Sequence, residues 1–243
     1  KMQLQKFERY EFKYILNSEL RKNIENDVKN FMEIDEFAKN KNNYFVRSLY
    51  FDNPNFINYF QKIDGMKLRH KFRLRTYSKT YSPDVPIFLE IKGRVNQRTY
   101  KKRLKVEKID LHKFEGLDDK IKINSDELSN ELINLFVYEK LRKNIKPLVL
   151  TDYLRAPYVS NYDRNFRVTF DNNLIIQKTD KLFNNNNSFA RNCLTGYTIL
   201  EVKFDRRMPK WFHRIVQTYN LNRLSISKFC VGMENADLVE NLE

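Results

Sequence analysis

The sequence predicts an α+β fold of about eight strands with a few flanking helices. Three observations carry this. Runs of alternating residues recur along the chain, each closed by turn residues. Most of these runs place Lys or Arg on one face together with an acidic residue. Stripes of helical period are few and lie between groups of strands. The clearest run is Leu68 to Arg75, where Arg69, Lys71, Arg73 and Arg75 share one face and Leu68, Phe72 and Leu74 the other. Adjacent cations on such a ladder stand about 7 Å apart and repel by roughly 2 kcal/mol at an effective dielectric near 20. That face therefore needs water or a polyanion.

The 243 residues suit one well-packed domain spanning 1–243, and five Gly and six Pro leave little room for flexible linkers. A hydrophobic content of 41% with 14% aromatics excludes a disordered chain, and a net charge of +14 predicts an anionic partner. Cys193 and Cys230 have neither metal-ligand nor redox spacing, which favours a reducing compartment over a disulfide framework. With no signal peptide and no apolar run long enough to span a bilayer, the expected location is cytoplasmic.

In chain order, Phe7 to Leu16 alternates, with Arg9, Glu11 and Lys13 opposite Tyr10, Phe12 and Tyr14. Asn17 or Ser18 caps a helix carrying Leu20, Ile24, Val28 and Phe31. Tyr44 to Asp52 is a strand closed by Asp52-Asn53-Pro54, and a short helix through Phe56 and Ile63 leads to the Asp64-Gly65 turn. After the Leu68 strand come Val85 to Val95, with Glu90, Lys92 and Arg94 on one face, and Tyr100 to Val106, with Lys101, Arg103 and Lys105 on one face. Asp126 to Leu141 is a packing helix. Leu148 to Tyr158, Phe166 to Asp171 and Tyr197 to Asp205 are strands, and Asn184 to Asn187 is a polar loop. Two helices close the chain, one through Trp211, Phe212 and Ile215 and one over Ser227 to Val239. His70, His112 and His213 are isolated, which suits structural or surface roles.

The acids among these cations are informative. A nucleic-acid surface has little use for Glu11, Glu90 and Glu201 among its cations, whereas a site for metal-bound phosphate uses both signs, since magnesium and manganese take oxygen ligands. If the sheet closes, the charged faces line an interior. An aromatic could stack a nucleotide base there, but the sequence singles none out.

Taken together, Phe7-Glu8-Arg9 with Lys13-Tyr14, Arg47 to Asp52, Arg73-Leu74-Arg75 with Tyr77, and Leu89-Glu90-Ile91-Lys92 resemble the polyphosphate-polymerising VTC (vacuolar transporter chaperone) domain of the triphosphate tunnel metalloenzyme (CYTH-like) superfamily. Tyr153-Leu154-Arg155, Arg167 to Asp171, Leu200-Glu201-Val202-Lys203 and Ser227-Lys228 extend the resemblance to about Glu234. It implies an eight-stranded antiparallel β-barrel, or tunnel, with a basic interior. It also implies phosphate contacts and catalytic roles for Arg73, Arg75, Lys92, Arg155, Arg167, Lys203 and Lys228, with Ser227 a further phosphate ligand. Arg9, Lys13 and Arg94 match positions near the tunnel, and Arg69, Lys71, Lys101 and Arg103 join them as phosphate-binding candidates on the basic faces. Glu201 is the principal metal ligand so implied, with Glu90 and Glu11 beside it, for Mn²⁺ or Mg²⁺. The first-strand frame reads Arg9-Tyr10-Glu11-Phe12-Lys13 where the superfamily usually has Glu-x-Glu-x-Lys, which is closer to the VTC pattern.

The expected function is therefore an ATP-dependent polyphosphate polymerase acting on ATP or triphosphate and on polyphosphate. An inorganic or nucleoside triphosphatase is the alternative, and a non-catalytic binder of polyphosphate, inositol phosphate or RNA a second one. Nucleic acid is not an expected partner. The resemblance also makes association with a membrane protein or membrane-spanning module plausible.

Overall fold

A computed structural model describes residues 9–116, 127–183 and 190–239. Its strands are β1 (Tyr10–Asn17), β2 (Met32–Ile34), β3 (Tyr44–Asp52), β4 (Leu68–Thr76), β5 (Ile87–Val95), β6 (Arg98–Val106), β7 (Lys146–Ser160), β8 (Arg167–Lys178), β9 (Arg191–Cys193) and β10 (Tyr197–Phe204). The α-helices are α1 (Ser18–Lys29), α2 (Ile57–Ile63), α3 (Leu111–Glu115), α4 (Glu127–Lys143), α5 (Lys210–Thr218) and α6 (Lys228–Asn235). One sheet runs in the order β1-β10-β8-β7-β3-β4-β5-β6, with β2 added to β7 and β9 to β8. Every pairing along the path is antiparallel.

The two ends of that path meet. Arg9, immediately before β1, exchanges backbone hydrogen bonds with Thr99 of β6, at 3.1 Å from its N–H and 2.9 Å to its carbonyl. The sheet thus curls into a barrel joined by one bridge, the tunnel architecture expected from the sequence.

The apolar faces of the strands point outward and the helices cover them. On one side Leu49, Phe72, Leu74, Leu89, Ile91 and Leu104 pack against Phe114 of α3 and Leu132, Ile133 and Phe136 of α4. On the other side Tyr14, Leu16, Val168, Phe170, Leu200 and Val202 meet Ile24 and Val28 of α1 and Phe212 and Ile215 of α5. Helix α1 starts where Asn17 Oδ1 accepts the Leu20 N–H at 2.8 Å, and its Ile24–Val28 spacing buries one stripe. Each such side chain contributes about 1.5–3 kcal/mol on full burial. Trp211 stacks on Phe31 at 4.4 Å, a packing role. Cys193 and Cys230 are both buried free thiols.

Helix α6 differs from the others because it packs on the inner faces. A Cβ at Gly232 would stand 3.1 Å from Val149 and 3.5 Å from Ile176 and Thr151, all inward-facing residues of β7 and β8. Phe229 and Met233 of α6 join Val46, Tyr50, Val149, Tyr153, Leu174 and Ile176 in an internal apolar cluster.

Some boundaries differ from the sequence expectation. β8 does not stop at Asp171 but continues to Lys178 past a register shift opposite Asp152 and Leu154. Asn173 supplies the positive φ of 53° at that point, a conformation asparagine tolerates better than most residues. The three-residue strands β2 and β9 are too short to show a period, and the last helix is Lys228–Asn235 rather than Ser227 to Val239. Phe7, Glu8, Asp126 and the Asn184 to Asn187 loop lie outside the described residues.

Candidate active site in the barrel interior

Alternation along each strand sends the charged face inward. β1 contributes Glu11 and Lys13, β4 contributes Lys71, Arg73 and Arg75, β5 contributes Glu90 and Lys92, and β6 contributes Lys101. Arg155 comes from β7, Asp171 from β8, Glu201 and Lys203 from β10, and Lys228 from the first turn of α6. Most neighbours on these strands are apolar and outward-facing, which lets a polar set be buried inside while the outer cores stay largely apolar; on the outward parity Asp152 of β7 pairs with Arg47 of β3 at 2.6 Å, and Lys102 of β6 with Glu131 at 3.2 Å.

Two ion networks result. In the first, Arg73 donates to Glu90 Oε2 through Nε at 2.8 Å and lies 2.7 Å from it through Nη2, while Lys101 Nζ is 3.3 Å from Oε1 and Arg75 Nη1 is 3.8 Å from Oε2. The Arg73 guanidinium also donates to Tyr50 Oη at 3.0 Å, and Arg75 donates to Ser48 Oγ and Tyr153 Oη, both at 3.2 Å. These contacts hold both guanidinium planes fixed.

In the second network, Arg155 grips Asp171 through two bonds of 2.6 Å and reaches Glu201 at 3.1 Å. Lys228 Nζ lies 2.6 Å from Asp171 and 2.8 Å from Glu201. Lys203 is 3.2 Å from Glu201, Lys13 is 3.2 Å from Glu11 and 3.5 Å from Glu201, and Lys92 is 3.0 Å from both Glu11 oxygens. Across the two networks eight cations face four carboxylates, so an excess of positive charge remains for an anion. The cation ladder on β4 is therefore relieved in part by internal carboxylates, not by water or polyanion alone.

The charge states follow. Burial opposes ionisation of Glu201, but Lys228, Lys203 and Lys13 outweigh it and hold the carboxyl well below its usual range. Burial likewise opposes a charged Glu90, which Arg73 and Arg75 keep ionised. Burial brings Lys71 and Lys92 down to about 8, and Glu11 offsets only part of it for Lys92. For Lys228 burial is overcome by Asp171 and Glu201, which raise it. Tyr50 is pushed up by burial yet comes down to about 8 because Arg73 and Arg75 face it.

The remaining site candidates have partners of their own. Arg9 pairs with Asp205 at 3.2 Å and donates to Asn165 at 3.3 Å, and the half-exposed Arg167 stands 4.0 Å from Asp35. Arg69 donates to the Met66 carbonyl and Arg94 to the Asn96 carbonyl at 2.7 Å. Lys71 sits 4.2 Å over the Phe229 ring and 3.5 Å from Ser227 Oγ, against α6 and not at a solvent-facing mouth. Arg103 stacks 4.8 Å from the Phe88 ring centre. His70 lies 3.7 Å from Glu139 of α4, in keeping with a structural role.

Sequence reasoning did not single out Asp171, which orients Arg155 and Lys228, or Tyr50 and Tyr153, which fix the β4 arginines. Their signal was only inward parity next to a cation, which many residues share.

Among the described residues no three His, Cys, Asp or Glu side chains converge as a metal cluster. Glu90 keeps to its arginine network. Glu11 and Glu201, however, both approach the single ammonium of Lys13, so the pair already holds one cation between hard oxygen donors. Their carboxylate oxygens are the donor type that a divalent ion takes.

No curated protein sequence matches the chain. Among solved structures, a Bacillus halodurans protein provisionally named an adenylate cyclase superposes with a TM-score of 0.51 at 13% identity, covering 90% of this chain and 94% of its own. A Hippeastrum protein provisionally named an adenylyl cyclase, with a dominant triphosphatase activity, gives 0.49 at 9% identity, covering 92% and 93%. At such identity the first likeness speaks to the barrel fold alone. The family model described as VTC domain matches residues 8–236, and the chain belongs to that family.

Proposed function

We propose that this VTC domain is a metal-dependent phosphotransferase that builds polyphosphate from ATP. The observation that carries the reading is the pair of ion networks, in which Arg73, Arg75, Lys92, Arg155, Lys203 and Lys228 converge inside a barrel with more cations than carboxylates. Phosphoryl transfer has a loose transition state, so alignment and charge neutralisation supply most of the catalysis.

In the reaction, a terminal oxygen of the acceptor chain forms a new bond to the γ-phosphorus as the bond from that phosphorus to the β–γ bridging oxygen breaks. The nucleoside diphosphate leaves with the electron pair. The attacking oxygen is already anionic, so no general base is needed. Arg73 and Arg75, fixed by Tyr50, Ser48 and Tyr153, orient one phosphate group. Arg155 and Lys228, fixed by Asp171, orient another. Glu11 and Glu201 would hold the divalent ion, which when bound adds positive charge against the transferring group.

A triphosphatase is the second reading. The residue that separates it from a polymerase in sequence, Arg9, lies with Asp205 and Asn165 and outside both networks. Incubation with ATP and Mn²⁺ tests the two. Long anionic polymer is the expected product, and release of free phosphate without polymer would transfer the assignment to the triphosphatase.

A further inference from the structure

Along the inner face of β4 the order is Lys71, Arg73, Arg75 and then Tyr77, immediately beyond the strand end. Lys71 touches α6 through Phe229, so the arginines lie between the helix and Tyr77. Tyr77 begins an aromatic arc on the same rim. Its ring meets Tyr44, the first residue of β3, edge-on at 5.7 Å, and Phe88, the second residue of β5, at 6.3 Å. The Arg103 guanidinium of β6 lies over Phe88 at 4.8 Å. Four side chains, three from β3, β5 and β6 and one just past β4, thus touch in series on the inward parity, with successive rings edge to face. The three rings are partly exposed and Arg103 is exposed.

The arc is joined to the charged networks by register. Tyr44 pairs with Arg155 across β3 and β7, and Phe88 pairs with Arg75 across β5 and β4. Two residues of strand advance about 7 Å, so Tyr77 stands about one step from Arg75 and two from Arg73, while Phe88 is level with Arg75 and Arg103 with Arg73 through Glu90. A nucleoside triphosphate extended along β4 with its terminal phosphate at Arg73 places its base at this rim. Aromatic faces and a stacked guanidinium recognise a base by its π-surface and not by its hydrogen-bonding edge.

We infer that Tyr44, Tyr77, Phe88 and Arg103 form the base-stacking subsite for the nucleoside triphosphate donor. The inference rests on the triphosphate-binding reading of the interior but not on polymer synthesis.

Calorimetric titration of the intact chain with the β,γ-imido analogue of ATP and, separately, with inorganic tripolyphosphate tests it. Phe88→Leu and Tyr77→Leu should each weaken the ATP analogue about fivefold or more and change tripolyphosphate affinity less than about twofold. Phe88→Trp keeps a ring and should hold the ATP analogue within about threefold of the parent. Parallel loss of both ligands in the leucine variants, or no loss of either, overturns the subsite. Since the titrations need no turnover, this result is separable from failure to make polymer, which bears on the reaction alone.

Discussion

The inner faces of β7 and β8 change character along their length, and the two halves obey different physics. On β7 the inward series is Val149, Thr151, Tyr153 and Arg155, and on β8 it runs from Thr169 and Asp171 to Leu174 and Ile176. The apolar half closes on α6, where Phe229 and Met233 fill it. The charged half closes on β10 and on the first residue of α6, through ion pairs of Arg155 and Asp171 with Glu201 and Lys228. Removal of contacts costs the apolar half packing. In the charged half it leaves a buried ion without a partner, which is dearer.

The largest expected effect follows from that difference. Arg73→Ala removes the closest partner of the fully buried Glu90, leaving Lys101 at 3.3 Å and Arg75 at 3.8 Å, and should lower unfolding free energy by about 3–5 kcal/mol as well as abolish tripolyphosphate binding. Urea titration measures the first quantity, and a loss under about 1 kcal/mol would show that Glu90 finds other compensation. Met233→Ala, in the apolar half, should cost about 2–5 kcal/mol in the same assay. Tripolyphosphate affinity should stay within about twofold for this variant, because the side chain is apolar and forms none of the ion pairs of either network. A large affinity loss would show that the halves act as one unit.

A smaller effect concerns pH. Burial brings Lys71, Lys92 and Lys101 down to about 8 in the folded protein against an ordinary 10.5, so the unfolded chain binds more protons between those values. Stability should therefore rise across that interval while tripolyphosphate affinity falls as the pH passes 8, since three cations become neutral. A flat affinity profile from pH 7 to 9.5 would remove these lysines from the anion site. The carboxylates give a slope of the same sign in the acid range. Glu11, Glu90, Asp171 and Glu201 are held low, so their stabilisation is complete above the ordinary carboxylate range and disappears as pH falls through their depressed values.

Much of the barrel was legible because most of its main strands keep a period of two, with charged residues on one parity and mostly apolar residues on the other. The alternation of Arg73 with Leu74 and Arg75, or of Glu201 with Val202 and Lys203, assigns each side chain to a face without further information. The short β2 and β9, and the continuation of β8 beyond Asn173, were hidden because three residues carry no period and a bulge resets it. Asp171 was likewise hidden. Its role depends on Arg155, 16 residues earlier, and on Lys228 in a helix from the far end of the chain. No membrane-crossing helix is present among the described residues, since none is long and apolar enough.

By itself the sequence determined which side chains share a face, the sign of the charge they carry and the kind of ligand that charge requires. Those properties are local, because strand geometry repeats every two residues. Only the tertiary structure decided which faces turn inward, which carboxylate neutralises which cation, and where the aromatic rim stands relative to Arg75. Such decisions depend on strand order, register and the seating of α6, and they bring together residues whose proximity no local pattern encodes.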